Sequence, residues 1–107
     1  MGLLTRLAGL FTKGARDDEL LLQGLAHAKA KRPEEAIALY DRLVADRGAK
    51  GATRARALFN RALAHSALDN DGQAVADLEQ VLKLPDLPEN VQSAARTQLA
   101  RVRRRNA

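Results

Sequence analysis

The hydrophobic and polar positions of this chain fall into six blocks of helical period, separated by short polar or glycine- and proline-bearing breaks. In residues 2–13 the apolar side chains Leu3, Leu4, Leu7, Leu10 and Phe11 share one stripe at about 100° per residue, with Thr5, Gly9, Thr12 and Lys13 opposite. The triplet 14–16 reads as a break. Asp17, Asp18 and Glu19 then open a helix to about Lys31, because carboxylates favour the free amides and positive dipole of a helix start. Pro33 followed by Glu34 and Glu35 begins the next, where a first-turn proline loses no hydrogen bond. Gly48 is a natural residue to follow its end. Thr53 is placed to cap a helix to about Leu68, and a further helix runs from Gln73 to about Lys83. After the break at Pro85, a last helix starts at Pro88 and extends towards Arg103, leaving 104–107 as a basic tail expected to fray.

These blocks repeat. Leu20, Leu25, Ala26, His27, Ala36 and Ala38 recur 38 residues later as Leu58, Leu63, Ala64, His65, Ala74 and Ala76. A helical hairpin cannot bury its apolar face alone, so repeated hairpins stack and leave an extended surface suited to binding. Composition agrees: 46% of the 107 residues are apolar, mostly Leu and Ala, and only 3% are aromatic. Strong helix formers dominate and strand formers are scarce, so the chain is one all-α domain.

The paired helices resemble the tetratricopeptide repeat. Leu20, Gln23-Gly24 and His27 stand at that family's first-helix positions, and Ala36 and Tyr40 at its second-helix positions. The second copy offers Leu58, Arg61-Ala62, His65, Ala74 and Leu78, with Pro85 near the closing proline. Arg61 stands where the family is apolar, the tryptophan is absent, and Gly48 replaces the first closing proline. The resemblance implies a right-handed solenoid of hairpins 17–50 and 55–88, a capping helix at 88–103, and about five helices plus a short N-terminal one. It also implies that Gly24, Ala62, Ala36 and Ala74 let helices approach closely, while Tyr40 and Leu78 fill the gap between hairpins.

The same resemblance places a concave partner-binding face on the first helix of each repeat. The expected binding residues are Leu21, Leu25 and Lys29 in the first copy and Arg56, Phe59, Asn60 and Leu63 in the second, with Asp18, Ala28 and Ser66 beside them. Asn60 matches an asparagine that the family uses to hold a peptide backbone. Leu21 and Leu25 occupy positions where a carboxylate-gripping clamp needs Lys and Asn, so that specialised function is not expected. The alternative is that these leucines and Phe59 are core.

The net charge of +5 is unevenly spread: residues 1–16 hold three cations and no acid, residues 96–107 five arginines and no acid, while 17–95 hold 10 cations and 13 acids. The tail arginines suggest nucleic acid, but no aromatic residue is interleaved for base stacking, and cations suit a helix C-terminus. The stripe of residues 2–13 with Arg6, Lys13 and Arg16 beside it suits a cap on the array, a peripheral membrane contact, or attachment to a partner assembly. With no cysteine, thiolate chemistry and disulfides are excluded. No nucleophile elbow or phosphate loop is present, and His27 and His65 fall in packing slots without acids to complete a ligand set. A non-enzymatic interaction module with no cofactor, no metal and no small-molecule substrate is the expectation, cytoplasmic, with a place at the periphery of a membrane or assembly as the alternative. A self-associating repeat remains open beside it.

Overall fold

The computed structural model describes residues 12–106, so the apolar stripe of Leu3, Leu4, Leu7, Leu10 and Phe11 lies outside the described residues. Those described form five helices: α1 Lys13–Lys29, α2 Pro33–Ala45, α3 Gly51–Ala67, α4 Asp71–Leu82 and α5 Glu89–Arg105. Each helix packs on the next, and α1 and α5 both also touch α3, which makes α3 the centre of the array. The result is an all-α solenoid of two helical hairpins closed by α5.

Helix α1 starts earlier than the acidic run suggests. Thr12 caps it, with Oγ1 accepting from the Ala15 amide at 3.1 Å, so residues 14–16 are helical and not a break. Asp17 lies one turn inside, 7% exposed, and its carboxylate takes Lys13 Nζ at 2.8 Å. Lys13 also bonds Asp46, just after α2, and the Gly48 amide donates to the same carboxylate at 2.9 Å. Asp17 therefore ties the base of the hairpin together instead of starting its first helix. The bonds from Asp17 and Asp46 raise the Lys13 pKa, and Lys13 together with the Gly48 amide holds Asp46 below the usual carboxylate range.

Helix α3 begins at Gly51, which puts Thr53 inside it and buried, not at its cap. Helix α4 begins at Asp71, ahead of the expected Gln73. Helix α5 continues through Arg105, past the expected start of a frayed tail. The reason is electrostatic: Arg105 reaches Asp71 at 2.5 Å and Ser66 at 2.9 Å, while Arg103 lies 3.5 Å from Glu79.

Gly48 does not end α2 in a left-handed conformation; no described glycine has positive φ. A Cβ at Gly48 would meet Lys13 Cε at 3.1 Å, so close approach of the lysine is what the glycine permits. Three other residues are left-handed: Lys31 (φ 61) and Asp69 (φ 59), which are 38 residues apart and close α1 and α3 alike, and Asp86 (φ 53) between α4 and α5. The Arg32 amide donates to the His27 carbonyl at 2.9 Å and the Lys31 amide to that of Ala28 at 3.1 Å. Asn70 and Asp69 repeat this pattern onto His65 and Ser66 at 2.8 and 3.1 Å. Both turns are Schellman caps, satisfying carbonyls that the helix end leaves free.

Two apolar clusters follow from the repeat. The first joins Leu21, Ala36, Tyr40 and Leu43 to Ala57 of α3, and the second joins Leu58, Ala62, Leu78 and Val81 to Val91, Ala95 and Leu99 of α5. Gly24 has a steric reason, since a Cβ there would stand 2.4 Å from Tyr40 Cε1. Arg61, at a position apolar in the resembling pattern, is explained by its partners. It forks onto Asp77 at 2.9 and 2.8 Å and reaches Asp41 at 2.9 Å, joining α2, α3 and α4. Chiefly through the Asp77 hydrogen bonds, its pKa is raised further, so the guanidinium stays charged.

Candidate partner-binding groove

A groove of about 530 Å³ opens between the two first helices of the hairpins. Helix α1 supplies Leu25 and Ala28, the α1–α2 turn supplies Lys31, the start of α2 supplies Pro33, and α3 supplies Asn60, Leu63, Ala64 and Ala67. Tyr40 of α2 also contributes to the wall. Helical periodicity places Leu63 and Ala67 one turn apart on one face of α3, and the small side chains of Ala28, Ala64 and Ala67 keep the groove open.

Of the residues the sequence singled out, the structure brings Leu25, Asn60 and Leu63 together here. Leu25 and Asn60 are half-buried, and Leu63 is 36% exposed. Leu21 is not available: it is 9% exposed and packs with Ala36, Tyr40 and Leu43. Phe59 is half-buried and leans on the second cluster. Lys29 and Arg56 are exposed on α1 and α3 but do not line the groove.

One residue was missed. Leu22 is 60% exposed, the greater of the two exposed large apolar side chains among the described residues, and stands one turn before Leu25. Its signal was present in the repeat, because 38 residues before Asn60 is Leu22.

The polar groups near the groove behave differently. Tyr40 is fully buried, its hydroxyl has no hydrogen-bond partner among the described residues, and burial pushes its pKa up to about 12. Lys31, on the groove wall, takes the left-handed backbone of the Schellman turn. His27 Nδ1 is buried 3.2 Å from Glu35 Oε2. His65 lies on a separate cavity with Arg61 and Asp77, so the two histidines do not share a site. Among the described residues no three His, Cys, Asp or Glu side chains gather as a metal site would require. No helix of the described residues is long and apolar enough to cross a membrane.

No curated protein and no solved structure matches the chain. Two family profiles do, each described as Tetratricopeptide repeat, one over residues 20–47 and the other over residues 55–85. The matched segments coincide with the two hairpins and together cover more than half of the sequence. The chain therefore belongs to the tetratricopeptide repeat family, whose repeats generally mediate protein–protein interaction.

Proposed function

We propose that this protein is a non-enzymatic adaptor that binds a segment of a partner protein in the groove between α1 and α3. The observation that carries the reading is the placement of Leu25 and Leu63. They are equivalent residues of the two repeats, both accessible, and both on the wall of one apolar groove. An exposed leucine alone is ordinary, but two equivalent leucines on one apolar groove form the contiguous kind of patch that partners cover. The binding residues are accordingly Leu25, Asn60 and Leu63, with Leu22 extending the surface along α1. Leu63→Glu tests this. At 36% exposure the substitution spares the core, so the melting temperature stays within about 2 °C while partner capture by the full chain falls at least tenfold. Unchanged capture would remove the groove from the function.

The N-terminal stripe is proposed to attach the array to something outside it. The α3 residues facing the first hairpin include Ala57, Arg61 and Ala64, and their counterparts on α1 are Glu19, Gln23 and Ala26. Glu19 and Gln23 are exposed and lie 3.5 Å apart, so the open edge of α1 offers the stripe charge and amide instead of an apolar seat. Leu7→Glu separates the readings: a lost partner or liposome contact with an unchanged melting curve supports attachment, and a lower melting temperature makes the segment a cap. The arginine-rich end is weaker ground for nucleic acid, because Arg103 and Arg105 are engaged with Glu79 and Asp71 of α4.

A further inference from the structure

Lys31 is the one charged side chain on the wall of the groove. It stands at φ 61, in the left-handed region where glycine and asparagine are the ordinary choices for closing a helix. Asp69, its counterpart in the second hairpin, is a residue that tolerates this region through local hydrogen bonding; a lysine gains no such relief. Nor is Lys31 held by the fold, since its ammonium makes no hydrogen bond or ion pair with any described residue. A cation near the end of α1 suits the helix dipole, but Lys29 in the last turn already supplies one. A long, unpaired cation therefore occupies a backbone position that disfavours it, beside a groove whose other walls are largely apolar.

Lys29 on α1 and Arg56 on α3 are exposed on the helices that frame the groove. The acids of α1 end at Glu19, six residues before Leu25, and Glu35 at the start of α2 is taken by His27 and Arg32, which leaves Glu34 as the exposed acid closest in sequence to Lys31. From this we infer that the groove takes an acidic partner segment. A large apolar side chain seats against Leu25 and Leu63, and a neighbouring Asp or Glu carboxylate pairs with Lys31. This rests on the groove being the partner site proposed above. The chain's own N-terminus is the wrong occupant by charge, because residues 1–16 hold three cations and no acid and would bring like charge to Lys31.

A random peptide library displayed on phage and selected against the immobilised full chain tests the inference, with Leu63→Glu as the control surface. Enriched peptides should combine a large apolar residue with adjacent Asp or Glu, and their affinity should fall as salt is raised from 50 to 200 mM. Measured on one enriched peptide by fluorescence anisotropy, Lys31→Gly weakens binding about threefold and Lys31→Glu about tenfold. Lys31→Gly melts no lower than the parent, so lost binding without lost stability marks a recognition role. Enrichment of neutral or basic peptides that Leu63→Glu abolishes would overturn the acidic partner and leave the groove in place. Enrichment indifferent to Leu63→Glu, or none at all, would remove both. A synthetic peptide of residues 2–11 that outcompetes the acidic peptides would assign the groove to the chain's own N-terminus and overturn the inference as well.

Discussion

The two hairpins follow one plan but solve its packing problem with different residues. In the first, Gly24 leaves room for the ring of Tyr40; in the second, Ala62 and Leu78 stand at the same two places, one larger and one smaller. The first has Gln23 and Leu39 at the positions where the second joins Arg61 to Asp77. The exchange follows position in the array. Arg61 faces back to Asp41 of the preceding hairpin, whereas Gln23 bonds Glu19 one turn back on its own helix. What teaches most is that the differences come in compensating pairs, so exchanging one member should be costly and exchanging both should not.

The largest effect is expected at Arg61 and Asp77. Their side chains are 19% and 8% exposed, so Asp77→Ala strands a largely desolvated guanidinium that keeps only Asp41. A loss of about 3 kcal/mol in urea unfolding is expected. Installing the first hairpin's residues, Arg61→Gln with Asp77→Leu, should recover part of it, because removing both charges leaves neither one buried and unpaired. If the double variant is no more stable than Asp77→Ala, the two pairs are not equivalent solutions.

Tyr40 comes next. Its ordinary pKa is near 10 and burial raises it to about 12 in the folded protein. Between those values the unfolded chain ionises and the folded chain does not. Stability is therefore full below pH 10 and falls by about 2–3 kcal/mol as pH rises towards 12. The chain has a single tyrosine, so phenolate absorbance reads the group directly. Tyr40→Phe should flatten this window relative to the parent, and it removes a buried hydroxyl that lacks a partner without creating a cavity. A phenolate titrating near pH 10 in the folded protein would contradict the burial argument. Gly24→Ala forces its new methyl into the Tyr40 ring and should cost about 2 kcal/mol. Adding Tyr40→Leu recreates the second hairpin's pairing, and a coupling energy of about 1 kcal/mol or more in the double-mutant cycle is expected. Additivity of the two changes would break the comparison at its centre.

Much of this was legible beforehand, for a reason that also explains what was not. Repetition is a long-range signal: Ala36 with Ala74 marks buried positions, and Leu25 with Leu63 equivalent ones, without knowledge of any contact, which is why the hairpins and these two groove residues could be read. Ends of helices depend on single contacts between distant residues. The first turn of α1, capped by Thr12, is tied down by Lys13 meeting Asp46, and the length of α5 rests on Arg105 meeting Asp71; neither ion pair has a local sequence mark. Arg61 looked like a departure because its explanation, Asp77, lies on another helix. Leu21 and Leu25 share one helix face, so spacing alone did not tell which of them α2 and α3 would cover.

The smallest effect separates the two Schellman turns. Both Lys31 and Asp69 hold left-handed backbone, and glycine relieves that strain while raising the entropy of the unfolded chain. For a lysine the relief should prevail, so Lys31→Gly gains about 0.5–1 kcal/mol in urea unfolding. An aspartate already tolerates this conformation by bonding locally, so Asp69→Gly should change stability by no more than about 0.3 kcal/mol. A helix-end cation is also lost at position 31, which trims the gain, while an anion unfavourable to the helix end is lost at 69. Both corrections work against the predicted order, so a larger gain at Lys31 would have to come from the backbone. If Asp69→Gly gains as much or more, Lys31 is no costlier to hold than its counterpart, and its place beside the groove loses the strain that sets it apart.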